Sequence, residues 1–206
     1  VLGLAGSLAG TAILIALLCD AISDPLVGVF SDRLRSPWGR RHPFLYAAAL
    51  PVALCFLYLF MPPIDLTQYQ LFAWLTVFSV CSRSAMTLFH VPYMALGAEL
   101  SNQYEERTHI VTLRQVGGRV GGALAAVLGF VVFMHPTAAF PNGQLNPAAY
   151  PPYAMTVAVL MFLAICAGGA GTHRRIPLLV VPHEDETPTD SVITILKRDM
   201  RELGQN

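Results

Sequence analysis

The chain has 206 residues, of which 54% are hydrophobic and only 13% are charged, and its formal net charge is zero. Soluble domains carry about 25% charged residues, so this composition indicates an integral membrane protein rather than a soluble domain. A net charge of zero gives no indication of nucleic-acid binding. The chain also contains no phosphate-binding glycine loop, and we predict no cofactor.

Apolar segments divide the chain into candidate membrane spans. A spanning helix needs about 20 mostly apolar residues. Five segments satisfy this requirement, at residues 2–30, 44–61, 71–96, 110–134 and 153–171. We therefore predict an all-α integral membrane fold, with a transmembrane portion over residues 1–172. Residues 173–206 are polar and are predicted to form a linker with a short amphipathic helix at 191–203.

Basic residues occur in every second connector. Residues 31–42 contain four arginines, Arg107 lies in the third connector, and Arg174 and Arg175 follow the last span, whereas the other two connectors lack Lys and Arg. Because basic loops stay in the cytoplasm, the first span is predicted to run inward. The same rule places the C-terminal tail in the cytoplasm.

Two acidic residues interrupt the first span. Asp20 and Asp24 lie four residues apart, on one face of a helix, and Asp20 is about 18 Å from the inner end of the span at 1.5 Å per residue. A charge at that depth costs roughly 2.5 kcal/mol or more. With the hydroxyl of Ser23 and a carbonyl freed by Pro25, the two carboxylates form an all-oxygen set that suits Na⁺ or a proton. The alternative is that the acids only neutralise arginines elsewhere.

A second polar stripe lies on the third span. Arg83, Thr87, His90 and Met94 follow one another at intervals of four, three and four residues, so they share one helix face. His90 precedes a Val-Pro pair at which the helix is expected to loosen. We predict that this stripe carries functional residues.

The fourth span carries two arginines and a glycine-rich segment. Either Arg114 or Arg119 can pair with Asp20 or Asp24, or hold a hydroxyl or carboxylate of a ligand through its forked donors. For Arg119, pairing with an aspartate is the preferred reading. Residues 117–122 contain two overlapping GxxxG spacings, which favour close helix packing.

Two segments resemble a known family. Residues 20–33 (DAISDPLVGVFSDR) and 38–41 (WGRR) resemble the second helix and following loop of the glycoside–pentoside–hexuronide:cation symporters, relatives of melibiose permease in the major facilitator superfamily. Residues 92–100 (PYMALGAEL) and 106–108 (ERT), followed by Arg114, resemble the fourth helix, its loop and the entry to the fifth helix.

This resemblance implies a major facilitator superfamily-type helical bundle in which the five spans are family helices two to six. The first helix and the C-terminal half of the same transporter would be missing, so the chain is expected to be a fragment of the N-terminal half. The implied function is symport of a sugar or glycoside-like polar solute with Na⁺ or H⁺, by alternating access across the cell (inner or plasma) membrane.

The resemblance also implies roles for individual residues. The positions of the coupling-ion site, which would hold Na⁺ or a proton, are Asp20, Ser23, Asp24 and Thr87. The positions of the solute site are His90, Met94 and Arg114. The positions of the cytoplasmic gate motif are Gly28, Asp32, Arg33, Gly39, Arg40 and Arg41.

Three of these positions depart from melibiose permease, which has Asn, Asp and Trp in place of Ser23, His90 and Met94. Neither a galactoside nor Na⁺ is therefore specified, and proton coupling is an equal expectation. Two other classes of function remain as alternatives. One is a non-transporting membrane subunit or remnant; the other is an intramembrane hydrolase with Asp20 and Asp24 as its acid and base, for which two acids on one helix are a poor arrangement.

Overall fold

The computed structural model describes residues 3–34, 36–63, 65–100 and 103–173. These ranges contain five long helices and no strand. All five are long and apolar enough to cross a membrane, which confirms the predicted fold class. The helices are α1 (Gly6–Arg33), α2 (His42–Phe60), α3 (Gln68–Glu99), α4 (Tyr104–Val127) and α5 (Tyr150–His173).

The helices differ from the predicted spans mainly at their ends. α1 continues to Arg33, so the segment that begins at Ser31, predicted as a connector, starts inside the last turn of the helix. Polarity does not end a helix; the backbone N–H of Leu34 still donates to the carbonyl of Phe30 at 3.2 Å. α3 begins three residues before the predicted span because Thr67 and Gln70 form a capping box. The predicted linker helix at 191–203 lies outside the described residues.

Proline does not interrupt the helices. α1 runs through Pro25 and α3 runs through Pro92 without a break, so the loosening expected near His90 is not seen. Each proline still lacks a backbone donor. In α1 this leaves the carbonyl of Ala21 without its helical partner, in the turn between the two aspartates.

α1 and α3 run side by side in the same direction with a constant offset. Three hydrogen bonds join residues that are 63 positions apart in the sequence: Ala5 with Gln68, Asp20 with Arg83, and Asp24 with Thr87. This register places each face residue of α1 beside its counterpart on α3. The two polar stripes predicted from the sequence therefore meet.

Small residues form the centre of the bundle. α3 packs between α1 and α2, and α2 also packs on α5. Alanines let these backbones approach closely. The buried cluster at the centre consists of Ala48, Ala49, Val52, Ala85 and Ile165.

α4 is the least covered helix. None of its described residues is buried, and it contacts α3 near Gly97, whose added Cβ would lie 3.8 Å from Ile110. Beyond it, a π-helical turn (Leu128–Phe133) contacts α5. The four glycines within residues 117–122 face open space. The close packing predicted from their spacing is thus not made among the described residues.

Candidate functional site

Asp20 on α1 and Arg83 on α3 form an ion pair. Nη1 of Arg83 donates to Oδ2 of Asp20 at 2.6 Å, and the two side chains are 43% and 21% exposed. The other carboxylate oxygen, Oδ1, is buried and has no hydrogen-bond partner among the described residues. The sequence analysis predicts that Arg119 pairs with an aspartate, but Arg119 lies exposed on α4. The arginine that reaches Asp20 belongs to the stripe on α3.

Asp24 and Thr87 form the second contact, one turn further along both helices. Oγ1 of Thr87 donates to Oδ1 of Asp24 at 2.7 Å. Thr87 is buried while Asp24 is exposed on the other side. The two contacts are about 6 Å apart along the helices, so one continuous polar strip crosses the α1–α3 interface.

Ser23 is near the strip but directs its proton elsewhere. Its hydroxyl donates to the backbone carbonyl of Asp20 at 3.3 Å, not to a carboxylate. The hydroxyl oxygen keeps its lone pairs, so a role as a cation ligand stays a prediction.

The residues predicted to bind solute are not brought together. His90 and Met94 are exposed on α3, beyond Thr87. Arg114 instead lines a cavity of about 600 Å³ between α2, α3, α4 and α5, and it is the sole charged residue among the described residues that line it. Neither aspartate borders this cavity. The solute site therefore stays a prediction.

A buried arginine ties three helices at one end of the bundle. Arg41, at the start of α2, is only 7% exposed in its side chain. Its Nη2 lies 2.5 Å from Asp32 and 2.9 Å from Oε1 of Glu99, and its Nη1 donates to Ser31 at 2.6 Å. Arg40 adds a bond of 3.1 Å to the same oxygen of Glu99. These contacts join α1, α2 and α3. We name the five residues that make them the arginine cluster: Ser31, Asp32, Arg40, Arg41 and Glu99.

Two glycines of the motif shape the same region. Gly39 has a φ of +78°, a left-handed conformation that favours glycine and turns the chain into α2. Gly28 lies against α3, where an added Cβ would be 3.8 Å from Val91. Arg33 closes the last turn of α1.

Sequence reasoning assigned no role to Glu99 or Ser31. Glu99 lies within the matched segment 92–100, as its only acid, so the acid at the end of a span next to a basic connector was an available signal. Ser31 gave no such signal. Its fully buried hydroxyl donates to the carbonyl of Gly28 at 3.0 Å and accepts from Arg41, which only the folded arrangement reveals.

A histidine pair beside the arginine cluster was also missed. His42 is fully buried, and its Nε2 lies 3.0 Å from Oγ1 of Thr172 on α5. The centre of its ring lies 5.6 Å from the centre of the His173 ring, and the hydroxyl oxygen of Tyr46 lies 3.4 Å from Nδ1 of His173. These contacts hold the start of α2 against the end of α5.

In the described part of the chain, no group of three or more His, Cys, Asp or Glu residues could hold a metal ion. The ligands of the predicted Na⁺ at Asp20 and Asp24 would be two carboxylates and neighbouring hydroxyls. That assignment stays a prediction.

Five helices long enough and apolar enough to cross a membrane, with charges paired between two of them, define the class of this chain as a multi-pass membrane protein. A family model described as MFS/sugar transport protein matches residues 1–206. The chain therefore belongs to the MFS/sugar transport family, which confirms the resemblance to the glycoside–pentoside–hexuronide:cation symporters.

Curated relatives agree with this membership. The inner membrane symporter YicJ of Escherichia coli is 28% identical over 100% of this chain and 41% of its own length. The lactose permease of Lactobacillus delbrueckii subsp. bulgaricus is 28% identical over 91% of this chain and 29% of its own length. A zebrafish protein named sodium-dependent lysophosphatidylcholine symporter 1-A is 34% identical over 62% of this chain and 24% of its own length.

The chain spans less than half the length of these relatives. The family and these relatives are transporters rather than enzymes. This confirms the prediction that the chain is not an enzyme and excludes the alternative of an intramembrane hydrolase.

Proposed function

We propose that the complete protein containing this chain is a symporter that moves a small polar solute, a sugar or glycoside, together with Na⁺ or H⁺ across the cell membrane. The observation that carries this proposal is the polar strip between α1 and α3. Asp20 and Asp24 meet Arg83 and Thr87 there, deep within two helices that are otherwise apolar. Ionisable groups at such a depth mark ion pathways in membrane proteins.

The strip offers a physical route from ion binding to helix movement. Asp24 carries a negative charge at an interface that a second helix covers, so neutralising that charge changes the free energy of α1–α3 packing. An ion can shift a conformational equilibrium only through its different affinity for the two states. A carboxylate held from one side by Thr87 and open on the other supplies such a difference.

The arginine cluster would act as the inner gate. Arg41 links Asp32 on α1 to Glu99 on α3, so a relative movement of these helix ends must break or exchange its bonds. With basic connectors on the cytoplasmic side, this end of the bundle and the tail would face the cytoplasm. Alternating access then requires the cluster to open and close once per cycle.

The uncovered α4 supports a role for further segments of the same transporter. Arg119 is exposed on a helix that crosses the membrane, and an arginine facing lipid is costly. Protein or a water-filled pathway must therefore cover it. The family's first helix and the C-terminal half are the proposed partners, together with the surrounding bilayer.

The experiment that tests this function is uptake by the complete protein in proteoliposomes under an imposed Na⁺ or H⁺ gradient. We expect Asp24→Asn to abolish gradient-driven accumulation of a radiolabelled glycoside while leaving the protein folded. Asp65→Asn is the matched control, because Asp65 is exposed in the α2–α3 connector and Asn tolerates its φ of +64°. Undiminished accumulation by Asp24→Asn would refute the coupling role.

Wild-type protein that takes up none of the solutes tried, under either gradient, would instead favour a non-transporting membrane subunit. This outcome is distinct from a loss confined to the Asp24 variant, because it requires no substitution at all.

A second candidate solute is an amphiphile such as a lysophospholipid. His90 replaces an acid and Met94, which is 40% exposed, replaces an aromatic ring, and a flexible thioether suits an irregular apolar chain. The similarity to a lysophosphatidylcholine symporter agrees with this reading. Competition separates the two candidates: inhibition of uptake by lysophosphatidylcholine but not by glycosides would favour the amphiphile, and the reverse would favour the sugar.

A further inference from the structure

Arg83 occupies one side of the acid pair and holds only one of the two oxygens of Asp20. Nη1 of Arg83 lies 2.6 Å from Oδ2, while Oδ1 is buried without a partner among the described residues. A short contact between a guanidinium and a carboxylate is a charge-assisted hydrogen bond, which is stronger than one between neutral groups. Asp20 thus already has a cation in contact, supplied by the chain itself.

We propose that Arg83 determines the cation selectivity of the coupling site: its guanidinium provides at Asp20 the positive charge that Na⁺ would otherwise supply, so the complete protein needs no Na⁺. This inference rests on the proposed symport function and makes it more specific. It assigns a role to a residue that the family resemblance does not include among the coupling positions.

The balance of formal charge supports this role. Asp20 and Asp24 contribute two negative charges and Arg83 contributes one positive charge, so one negative charge is left, on Asp24. Arginine stays protonated in proteins, so its charge cannot be removed to admit another cation. A Na⁺ in contact with both carboxylates would lie within a few ångströms of the guanidinium, where like charges repel strongly because the surroundings screen poorly.

The supply of ligand oxygens points the same way. Hard metal cations take several oxygen ligands at once. Oδ2 of Asp20 is engaged by Arg83, and Oδ1 of Asp24 accepts the proton of Thr87. Two of the four carboxylate oxygens in the strip are therefore already engaged, which leaves fewer of them free for Na⁺.

The test measures Na⁺ binding directly, without a transported solute. The purified complete protein is heated in NaCl and in KCl of equal ionic strength, and the midpoint of thermal unfolding is compared. We expect equal midpoints for the wild type, since nothing binds Na⁺ selectively. We expect Arg83→Gln to unfold a few degrees higher in NaCl than in KCl, because a ligand that binds only the folded state raises the midpoint.

Two variants isolate the cause. Arg83→Lys keeps the positive charge and should behave as the wild type does, with no preference for Na⁺. Arg119→Gln removes an arginine from α4 that does not contact either aspartate, and it should also show no preference. Adding Asp20→Asn to Arg83→Gln should remove the Na⁺ effect, because the carboxylate that would hold the ion is then lost.

A wild-type midpoint that is higher in NaCl than in KCl would overturn the proposal, as would a folded Arg83→Gln protein with equal midpoints. If Arg83→Gln does not fold, Arg83→Ala is measured in its place, because alanine is a strong helix former and also removes the charge. The symport function fails separately: it requires solute uptake, so a Na⁺-responsive wild type would contradict the role of Arg83 while leaving Na⁺-coupled symport intact.

Discussion

Thr87 and Asp24 lie side by side across the α1–α3 interface, with Oγ1 of the threonine 2.7 Å from Oδ1 of the aspartate. The hydroxyl is buried while the carboxylate is exposed. Thr87 therefore holds Asp24 from the protein side and leaves the second carboxylate oxygen without a bond from the threonine. The bond orients the acid without covering it.

Replacing Thr87 by Val should lower gradient-driven uptake about tenfold, because a hydrogen bond to a charged group is worth about 1.5–3 kcal/mol. Thr87→Ser keeps the hydroxyl and should retain most of the rate. Thr76→Val is the control on the same helix, since its hydroxyl donates only to the carbonyl of Phe72 one turn earlier. Initial uptake rates in proteoliposomes provide the measurement, and equal rates for the two valine variants would contradict the role of Thr87.

The two arginines that contact Glu99 should differ in their contribution to stability. Arg41 contacts Asp32, Ser31 and Glu99 and is almost fully buried, whereas Arg40 makes one bond and is 26% exposed. We expect Arg41→Gln to cost about 1–3 kcal/mol, because it leaves Glu99 with much less compensation.

Arg40→Gln should cost well under 1 kcal/mol, as exposed ion pairs do. The midpoints of thermal unfolding in detergent compare the two variants. A larger loss for Arg40→Gln than for Arg41→Gln would show that the cluster is not organised around Arg41.

Apolar length and helical periodicity were sufficient to predict the five spans and to place Asp20 and Asp24 on one face. Each of these inferences depends on one helix alone. The partner of Asp20 could not be predicted in this way, because the sequence does not show which neighbouring span lies against α1. Arg83, Arg114 and Arg119 all lie on other spans. Only the register of α1 against α3 selects Arg83.

The packing between helices could not be predicted from the sequence either. The glycines at 117–122 have the spacing of a helix-packing motif, yet they meet no other described residue at short distance. Such a motif shows that a helix face allows close packing, but it does not show which helix lies against that face. Ser31 likewise becomes part of the arginine cluster only because α1 extends one turn beyond its apolar segment.

The bond between Thr172 and His42 should be measurable as a contribution of α5 to stability. Oγ1 of Thr172 lies 3.0 Å from Nε2 of His42, whose Nδ1 is buried without a partner among the described residues. Thr172→Val would leave the buried imidazole without its partner, at a cost of about 1–3 kcal/mol. Thr156→Val is the control on α5, because its hydroxyl bonds only to the carbonyl of Pro152. Thermal unfolding should show a clear loss for Thr172→Val and little change for Thr156→Val; similar midpoints would contradict the prediction.

The close approach of α5 to α2 depends on a missing side chain at Gly169. A Cβ at this position would lie 2.9 Å from Cε1 of Tyr46 and 3.2 Å from Cζ, closer than packed carbon atoms allow. Gly169→Ala should therefore push the tyrosine ring or the helix aside, at a cost of about 1–3 kcal/mol. Gly171→Ala, two residues later, meets open space and should be neutral or slightly stabilising, since alanine favours the helix.

Tyr46→Ala removes the ring, so Gly169→Ala should cost much less in that background. A thermal-unfolding double-mutant cycle measures this coupling, and additive effects of the two substitutions would show that the ring is not what excludes a side chain at Gly169.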